Sequence, residues 1–480
     1  MIGADVYIIV KEAATKWPDN PAVFDQYGSL SFSELFAQTE SFRLQLLDAG
    51  IGKGMVVGIK AHNSRNFIIS LFAVIGCGAT AMPVSHQLKK PEIDEILEEA
   101  QLHAILDDGS GIHAYETPGI VFTLKEGYFN FNFTGKSTAN RFAPHVANPA
   151  FMRFTSGTTG KSKGVIISHE AVLERIDAAN KGLQLNHTDT VIWVLPMAYH
   201  FVVSVVLYIR FGTAIAIAKD FLAKNIIDIT NRHNGTLLYA SPLQIRLLAN
   251  DKSDEQLPSL KKVISTSAAI SMDVCTSFKN RFNIDVSQAY GIIEIGLPML
   301  NYIKSAEHPD AVGYALPDYQ VDILDDDYQP LPAGSMGHLA IKGPGMFDAY
   351  LNPPASRNEI LKNGYFLTAD YATKADDGLI KVVGRLKSVI NISGIKIFPE
   401  EIEGVLESYP GIKLARITSN PHPLLGEVIE GEIVLQDGAS VDTEEVLTYC
   451  RKRLSAFKTP QKLKIVPALP ETGSGKLMRY

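Results

Sequence analysis

Residues 155–164, TSGTTGKSKG, crowd together the ingredients of a phosphate site. Glycines let backbone N–H groups approach phosphate oxygens, hydroxyls donate further bonds, and lysines bring positive charge. Here those parts are Gly157 and Gly160, the hydroxyls of Thr155, Ser156, Thr158 and Thr159, and the ammonium groups of Lys161 and Lys163. The run Gly160-Lys161-Ser162 matches the end of a Walker A loop, but that motif needs a glycine where Thr155 stands. The spacing therefore predicts a triphosphate site of another kind. A second lysine in a glycine-flanked setting, Lys476 of GSGK, lies close to the end of the sequence.

Such residues need rigid elements to hold them. From Phe32 to Leu106 helical periodicity alternates with short β-branched runs such as MVVGIKA, and TVIWVLPM, GTAIAIA, GTLLYASP and KKVISTSAA continue the theme. This βα alternation predicts a large α/β body of several subdomains with parallel-rich sheets. Between Pro317 and Leu351 short strands with turn signals predict a small β unit. The sequence after Arg385 has its own alternation of strands and helices, which predicts a compact α+β domain. The expected division is 1–385 and 386–480.

Bulk properties narrow the partners. The 480 residues are 46% hydrophobic and 20% charged, the balance of a folded globular protein. A net charge of −7, from 45 basic and 52 acidic residues, offers no broad positive field for nucleic acid or an anionic membrane. The apolar stretch Phe201 to Ala218 is interrupted by Arg210 and Gly212, so it reads as core and not as a membrane span. Cys77, Cys275 and Cys450 are too scattered for a disulfide framework or a metal set, and the opening residues lack a signal-peptide pattern. A cytoplasmic location is expected, with the oligomeric state open.

TSGTTGKSKG resembles the signature of the adenylate-forming superfamily, which includes acyl- and aryl-CoA ligases, peptide-synthetase adenylation domains and firefly-type luciferases. Further matches follow in order: PMAYHF at 196–201, QAYGIIE at 288–294, GYFLTAD at 364–370, GRLKSVINISGIKIFPEEIE at 384–403 and LPETGSGKLMR at 469–479. The resemblance implies a large N-terminal part and a small mobile C-terminal domain. It implies that ATP and an organic acid give an acyl-AMP and pyrophosphate, with Lys476 bridging the acid carboxylate and the α-phosphate. Glu294 resembles the carboxylate that holds Mg²⁺, Tyr290 the aromatic stacked on adenine, Asp370 and Arg385 the ribose pair, and Lys387 the hinge. Attack of a carboxylate on a phosphate needs charge neutralisation and alignment more than a general base, which suits this set.

His200, Phe201, Val203, Tyr239, Ser267, Ala268 and Gly291 resemble positions lining the acid pocket, with His200 also placed among the catalytic residues. Amino-acid-activating relatives have an aspartate after the equivalent of Phe201, where Val202 stands here. A buried ammonium without a partner is costly, so the acid is expected to be apolar or aromatic and of modest size. The expected acceptor of the acyl group is CoA. A separate acyl carrier protein is the nearest alternative; a luciferase-like oxidase and a non-catalytic adenylate-binding relative are more distant ones. Several residues depart from the family pattern. Ile293 replaces a threonine before the metal glutamate, STSAAI at 265–270 replaces a glycine-rich loop, and Asn391 and His338 stand where lysine and glutamate are common. Ala369 replaces the glycine of TGD, a small change if its φ is negative.

Overall fold

The structure, a computed structural model, describes residues 5–100, 102–115, 119–135, 146–155, 163–202, 204–388, 390–392, 395–422, 426–455 and 458–470. Among the described residues, most of the chain is organised by two nine-stranded sheets. In the first, the parallel strands Pro21–Asp25, Ala214–Ile217, Thr190–Trp193, Leu237–Ala240, Lys262–Ser265 and Val286–Ile292 lie side by side. The second is built around the parallel strands Val56–Ala61, Thr80–Ser85, Ala104–Asp107 and Pro149–Thr155.

Strand burial explains the sequence pattern. VVGIKA, Val56–Ala61, is buried at every position, as a parallel strand covered on both faces should be. Its one charge, Lys60, is neutralised by Asp107 at 2.9 Å. The helix Arg65–Gly76 is buried from Arg65 to Ile75 and starts at Ser64, whose hydroxyl accepts from the Phe67 N–H at 3.3 Å. The helix Phe32–Asp48 opens with a capping box between Ser31 and Glu34 and buries Phe32, Leu35, Thr39, Phe42 and Leu46, one face at helical spacing. Each such aliphatic or aromatic side chain stabilises the body by roughly 1.5–3 kcal/mol.

The apolar stretch at 201–218 is core, as expected. The helix Val205–Arg210 and the strand Ala214–Ile217 are joined through Gly212 at φ +72°, where an added Cβ would meet the Trp17 ring at 2.6 Å. Among the described residues no helix is long and apolar enough to cross a membrane. The three cysteines are free and buried.

The β-rich unit is larger than the sequence predicts. Gln320–Leu324 and Met336–Lys342 are joined in one antiparallel sheet by Phe366–Lys374 and Ile380–Arg385. The short strand Ala349–Tyr350 leaves it and pairs instead with Lys163–Ser168 in the second large sheet. After the 3₁₀ turn Leu386–Ser388, a separate apolar cluster forms from Ile390, Ile397, Ile402, Leu406, Ile412, Ile433, Val446 and Leu463, among others. Its helix Pro399–Glu407 starts with proline at its first position and buries Glu403, which accepts the Ile417 N–H at 2.8 Å. Arg246 reaches across to this part, 3.6 Å from Glu407.

Candidate active site

Four adjacent parallel strands deliver the candidate residues at their carboxyl ends, the edge at which open α/β sheets bind ligands. Thr190–Trp193 leads to His200, Leu237–Ala240 carries Tyr239, Lys262–Ser265 leads to Ser267 and Ala268, and Val286–Ile292 carries Tyr290 and Gly291. From the second sheet, Pro149–Thr155 ends where the glycine-rich segment begins, and Lys163–Ser168 returns antiparallel to it, with Thr155 opposite Lys163. The segment is therefore a strand-to-strand connection. A Walker loop runs from strand directly into helix, so the topology agrees with the spacing argument.

The nucleotide candidates Tyr290, Asp370 and Arg385 meet. Asp370 and Arg385 sit opposite each other in the antiparallel pair Phe366–Lys374 with Ile380–Arg385, and Arg385 Nε lies 3.4 Å from Asp370 Oδ1. The Tyr290 hydroxyl donates to Asp370 Oδ2, and the Asp370 N–H donates to Thr368 Oγ1 at 3.2 Å. Burial and the Asp370 charge hold the Tyr290 hydroxyl well above its ordinary pKa, so it stays a donor. Asp370 is only 5% exposed, yet Arg385 is half open to solvent, so the pair forms the lip of a site.

Glu294 is fastened from both ends. Its backbone carbonyl accepts the Phe347 N–H at 2.7 Å, and its Oε1 accepts the Tyr350 hydroxyl at 2.9 Å. Burial and Glu294 push the Tyr350 hydroxyl pKa far up, which keeps that proton in place. The Lys163 ammonium lies over the Tyr350 ring, 4.8 Å from its centroid, linking the glycine-rich hairpin to the same corner. Among the described residues Tyr350 is the donor on this carboxylate, and Oε2 meets none. One carboxylate with an open oxygen fits Mg²⁺, which takes few protein ligands and completes its shell with phosphates and water. Gly291 is required by the turn: an added Cβ would meet the Gly296 carbonyl at 2.8 Å.

The acid-pocket candidates divide. Trp193 and Tyr239 stack at 6.3 Å and 9°, and His200 meets Trp193 edge-on at 6.4 Å. His200 Nε2 lies 3.4 Å from Ser267 Oγ, a long contact from a residue at φ +76°. Ala268 is exposed. Phe201 is 2% exposed and packs among Phe67, Phe72 and Phe151, so it supports the pocket from within the core. Ser156, Gly157, Thr158, Thr159, Gly160, Lys161, Val203 and Lys476 lie outside the described residues, and of Thr155 and Lys387 the backbone alone is described.

The departures have physical consequences. Ala369 adopts φ +61°, so the glycine-to-alanine change is not small: a Cβ in the left-handed region costs about 1–2 kcal/mol. The cause is a bulge. Ala340 pairs with Leu367 and His338 with Tyr371, which leaves more residues on one strand than on its partner. Ile293 packs against the main core, and its carbonyl accepts from Arg175 Nη1 at 2.9 Å. Arg175 also donates to the Gly345 carbonyl at 2.8 Å, and its burial draws its pKa down to about 10. His338 meets Asp326 at 3.1 Å and Tyr371 at 3.4 Å. Asn391 lies in the short strand Ile390–Ile392. Tyr350 and Arg175 carry no signal in the sequence that would mark them, because their partners lie far away along the chain.

Comparisons with known proteins agree with this layout. A family model described as AMP-binding enzyme matches residues 10–351, and its companion, AMP-binding enzyme C-terminal domain, matches residues 401–476. A feruloyl-CoA synthase from Amycolatopsis is 26% identical over 94% of this chain and 93% of its own. A fatty acid–[acyl-carrier-protein] ligase from Streptomyces coeruleorubidus is 24% identical over 96% of this chain and 92% of its own. The crystal structure of ATP-bound MatB from Rhodopseudomonas palustris shares the fold, with a TM-score of 0.85 at 23% identity over 98% of this chain and 97% of its own. With a family model covering most of the chain and a second covering its C-terminal part, the chain belongs to the AMP-binding enzyme family, within the adenylate-forming superfamily.

Proposed function

We propose that this enzyme is an acid–thiol ligase. A carboxylic acid attacks the α-phosphate of ATP to give an acyl-AMP and pyrophosphate, and the acyl group then passes to the thiol of CoA. The observation that carries this reading is Asp370, a buried carboxylate held by Tyr290 and Arg385 at the lip of the site. It has the acceptor oxygens a ribose needs, beside an aromatic for the base and a guanidinium that can donate to the same ribose. Glu294 Oε2 would hold Mg²⁺, which supplies neutralisation of phosphate charge. Thr155 to Lys163 would cradle the triphosphate, and Lys476 would bridge acid and α-phosphate.

The acid is apolar or aromatic and of modest size. Supporting this are the stacked Trp193 and Tyr239, the aromatic floor at Phe201 and the absence of an acidic residue at Val202 and Val203. Residues 1–385 bind ATP and acid, and residues 386–480 form a mobile domain that turns at Lys387. The separate apolar cluster beginning at Ile390 supports that division. The likeness to a fatty acid–[acyl-carrier-protein] ligase favours a carrier-protein thiol as the second reading.

Pyrophosphate release screened over aryl, short- and medium-chain acids tests the proposal, with CoA and a phosphopantetheinylated carrier protein as acceptors in parallel. The expected result is acid-dependent release and a CoA thioester. Thioester formed on the carrier protein alone would transfer the reading to the second acceptor. ATP binding without acid-dependent release would overturn it.

A further inference from the structure

Arg153 lies on the strand Pro149–Thr155, two residues before the start of the glycine-rich segment. Its guanidinium carbon sits 5.0 Å from the centroid of the Tyr199 ring, and Nη1 donates to the Tyr199 carbonyl. Tyr199 directly precedes His200 in the acid-pocket segment. Nε is buried and meets no acceptor among the described residues. The charge that reaches Arg153 from a carboxylate is that of Glu294, acting through space. The guanidinium thus stands among the phosphate hairpin, the acid pocket and the metal glutamate.

Other arginines in the molecule show what is missing. Arg65, more deeply buried than the partly exposed Arg153, forms an ion pair with Asp25 at 2.6 Å and donates to the Gly28 carbonyl at 2.7 Å. Arg175 places Nε and Nη1 on two backbone carbonyls, one more than Arg153 has, although its Nη2 is likewise without an acceptor among the described residues. Among the described residues Arg153 has one carbonyl, an aromatic face and an unused donor. A buried N–H without an acceptor is unfavourable, and a largely desolvated cation without a counter-ion is more so. Burial lowers the Arg153 pKa to about 10, which leaves it charged at neutral pH. Such a group is stabilised when an anion arrives, and the ligase reaction brings anions to this corner.

We propose that Arg153 is an anion-binding residue of the site, holding a negatively charged oxygen of the reacting pair, either the acid carboxylate or the α-phosphate it attacks. This rests on the ligase reading and adds a substrate-contacting residue to it. It also supplies a donor in a site where Ile293 has removed a hydroxyl. The competing account makes Arg153 a structural clamp whose bond to the Tyr199 carbonyl shapes the pocket wall.

Arg153→Lys and Arg153→Gln separate the two. Lysine keeps the charge; glutamine keeps hydrogen-bonding capacity without it. Steady-state kinetics would be read beside thermal melting with and without ATP. The proposal expects Arg153→Gln to raise KM for the acid or for ATP, or to lower kcat, by about tenfold or more, with Arg153→Lys retaining most of the activity. A rise in the acid KM assigns the carboxylate, and a rise in the ATP KM with a smaller ATP-induced melting shift assigns the phosphate. Kinetics like wild type in Arg153→Gln, or glutamine restoring as much as lysine, would overturn it. If one variant does not fold, the other decides by the same criteria; loss of folding in both overturns the proposal in favour of the clamp. Absence of pyrophosphate release by the wild type would count against the ligase reading itself, while the ATP-induced melting shift would still compare Arg153→Gln with wild type.

Discussion

The proposed nucleotide corner and the proposed acid pocket are built on opposite principles. In the corner, Tyr290, Asp370 and Arg385 are tied to one another by a hydrogen bond and an ion pair, Glu294 is held by Tyr350 and Phe347, and each comes from a strand or a tightly bonded turn. In the proposed acid pocket, aromatic rings are packed against one another, and the polar contacts include the 3.4 Å approach of His200 to Ser267 and the hydrogen bond between Tyr239 and Thr266. A prearranged corner suits a ligand that never changes, and ATP is such a ligand. A pocket built mainly of aromatic rings selects by shape, which discriminates less sharply than hydrogen bonding.

Mutations should therefore separate by substrate. Asp370→Ala removes the shared acceptor of Tyr290 and Arg385, so KM for ATP should rise by about 10- to 100-fold with little change in KM for the acid. An ATP KM close to wild type would break the distinction between the regions. His200→Ala should do the converse, raising the acid KM by about tenfold while sparing ATP; an equal effect on both substrates would show the pocket to be part of the nucleotide corner. Tyr350→Phe deletes one hydrogen bond on Glu294, about 0.5–1.5 kcal/mol, so the Mg²⁺ concentration for half-maximal activity should shift by roughly two- to tenfold. No shift would detach Tyr350 from metal binding. The smallest effect concerns strain: Ala369→Gly should raise the melting temperature by about 1–2 °C, because relief at φ +61° exceeds the entropy glycine adds to the unfolded chain. A lower melting temperature would contradict that account.

The same contrast explains what the sequence discloses. Tyr290, Glu294, Asp370 and Arg385 sit in short motifs, and strand register brings Asp370 opposite Arg385. The α/β body was legible because covered parallel strands such as Val56–Ala61 are continuously apolar. The extent of the β unit was not, since Phe366–Lys374 and Ile380–Arg385 join it across a long connection. Nor was the strain at Ala369, which arises from a bulge set by pairing and not by local composition. Arg153, Arg175 and Tyr350 look like ordinary core or surface residues until folding places Glu294 near them.

The account rests on acyl-AMP formation, and exchange of labelled pyrophosphate into ATP measures that step without reference to the thiol. The wild type should exchange label only when a suitable apolar or aromatic acid is present, and Lys476→Ala should abolish the exchange while the protein remains folded. Bound ATP with no acid-dependent exchange across aryl, short- and medium-chain acids would contradict the central claim.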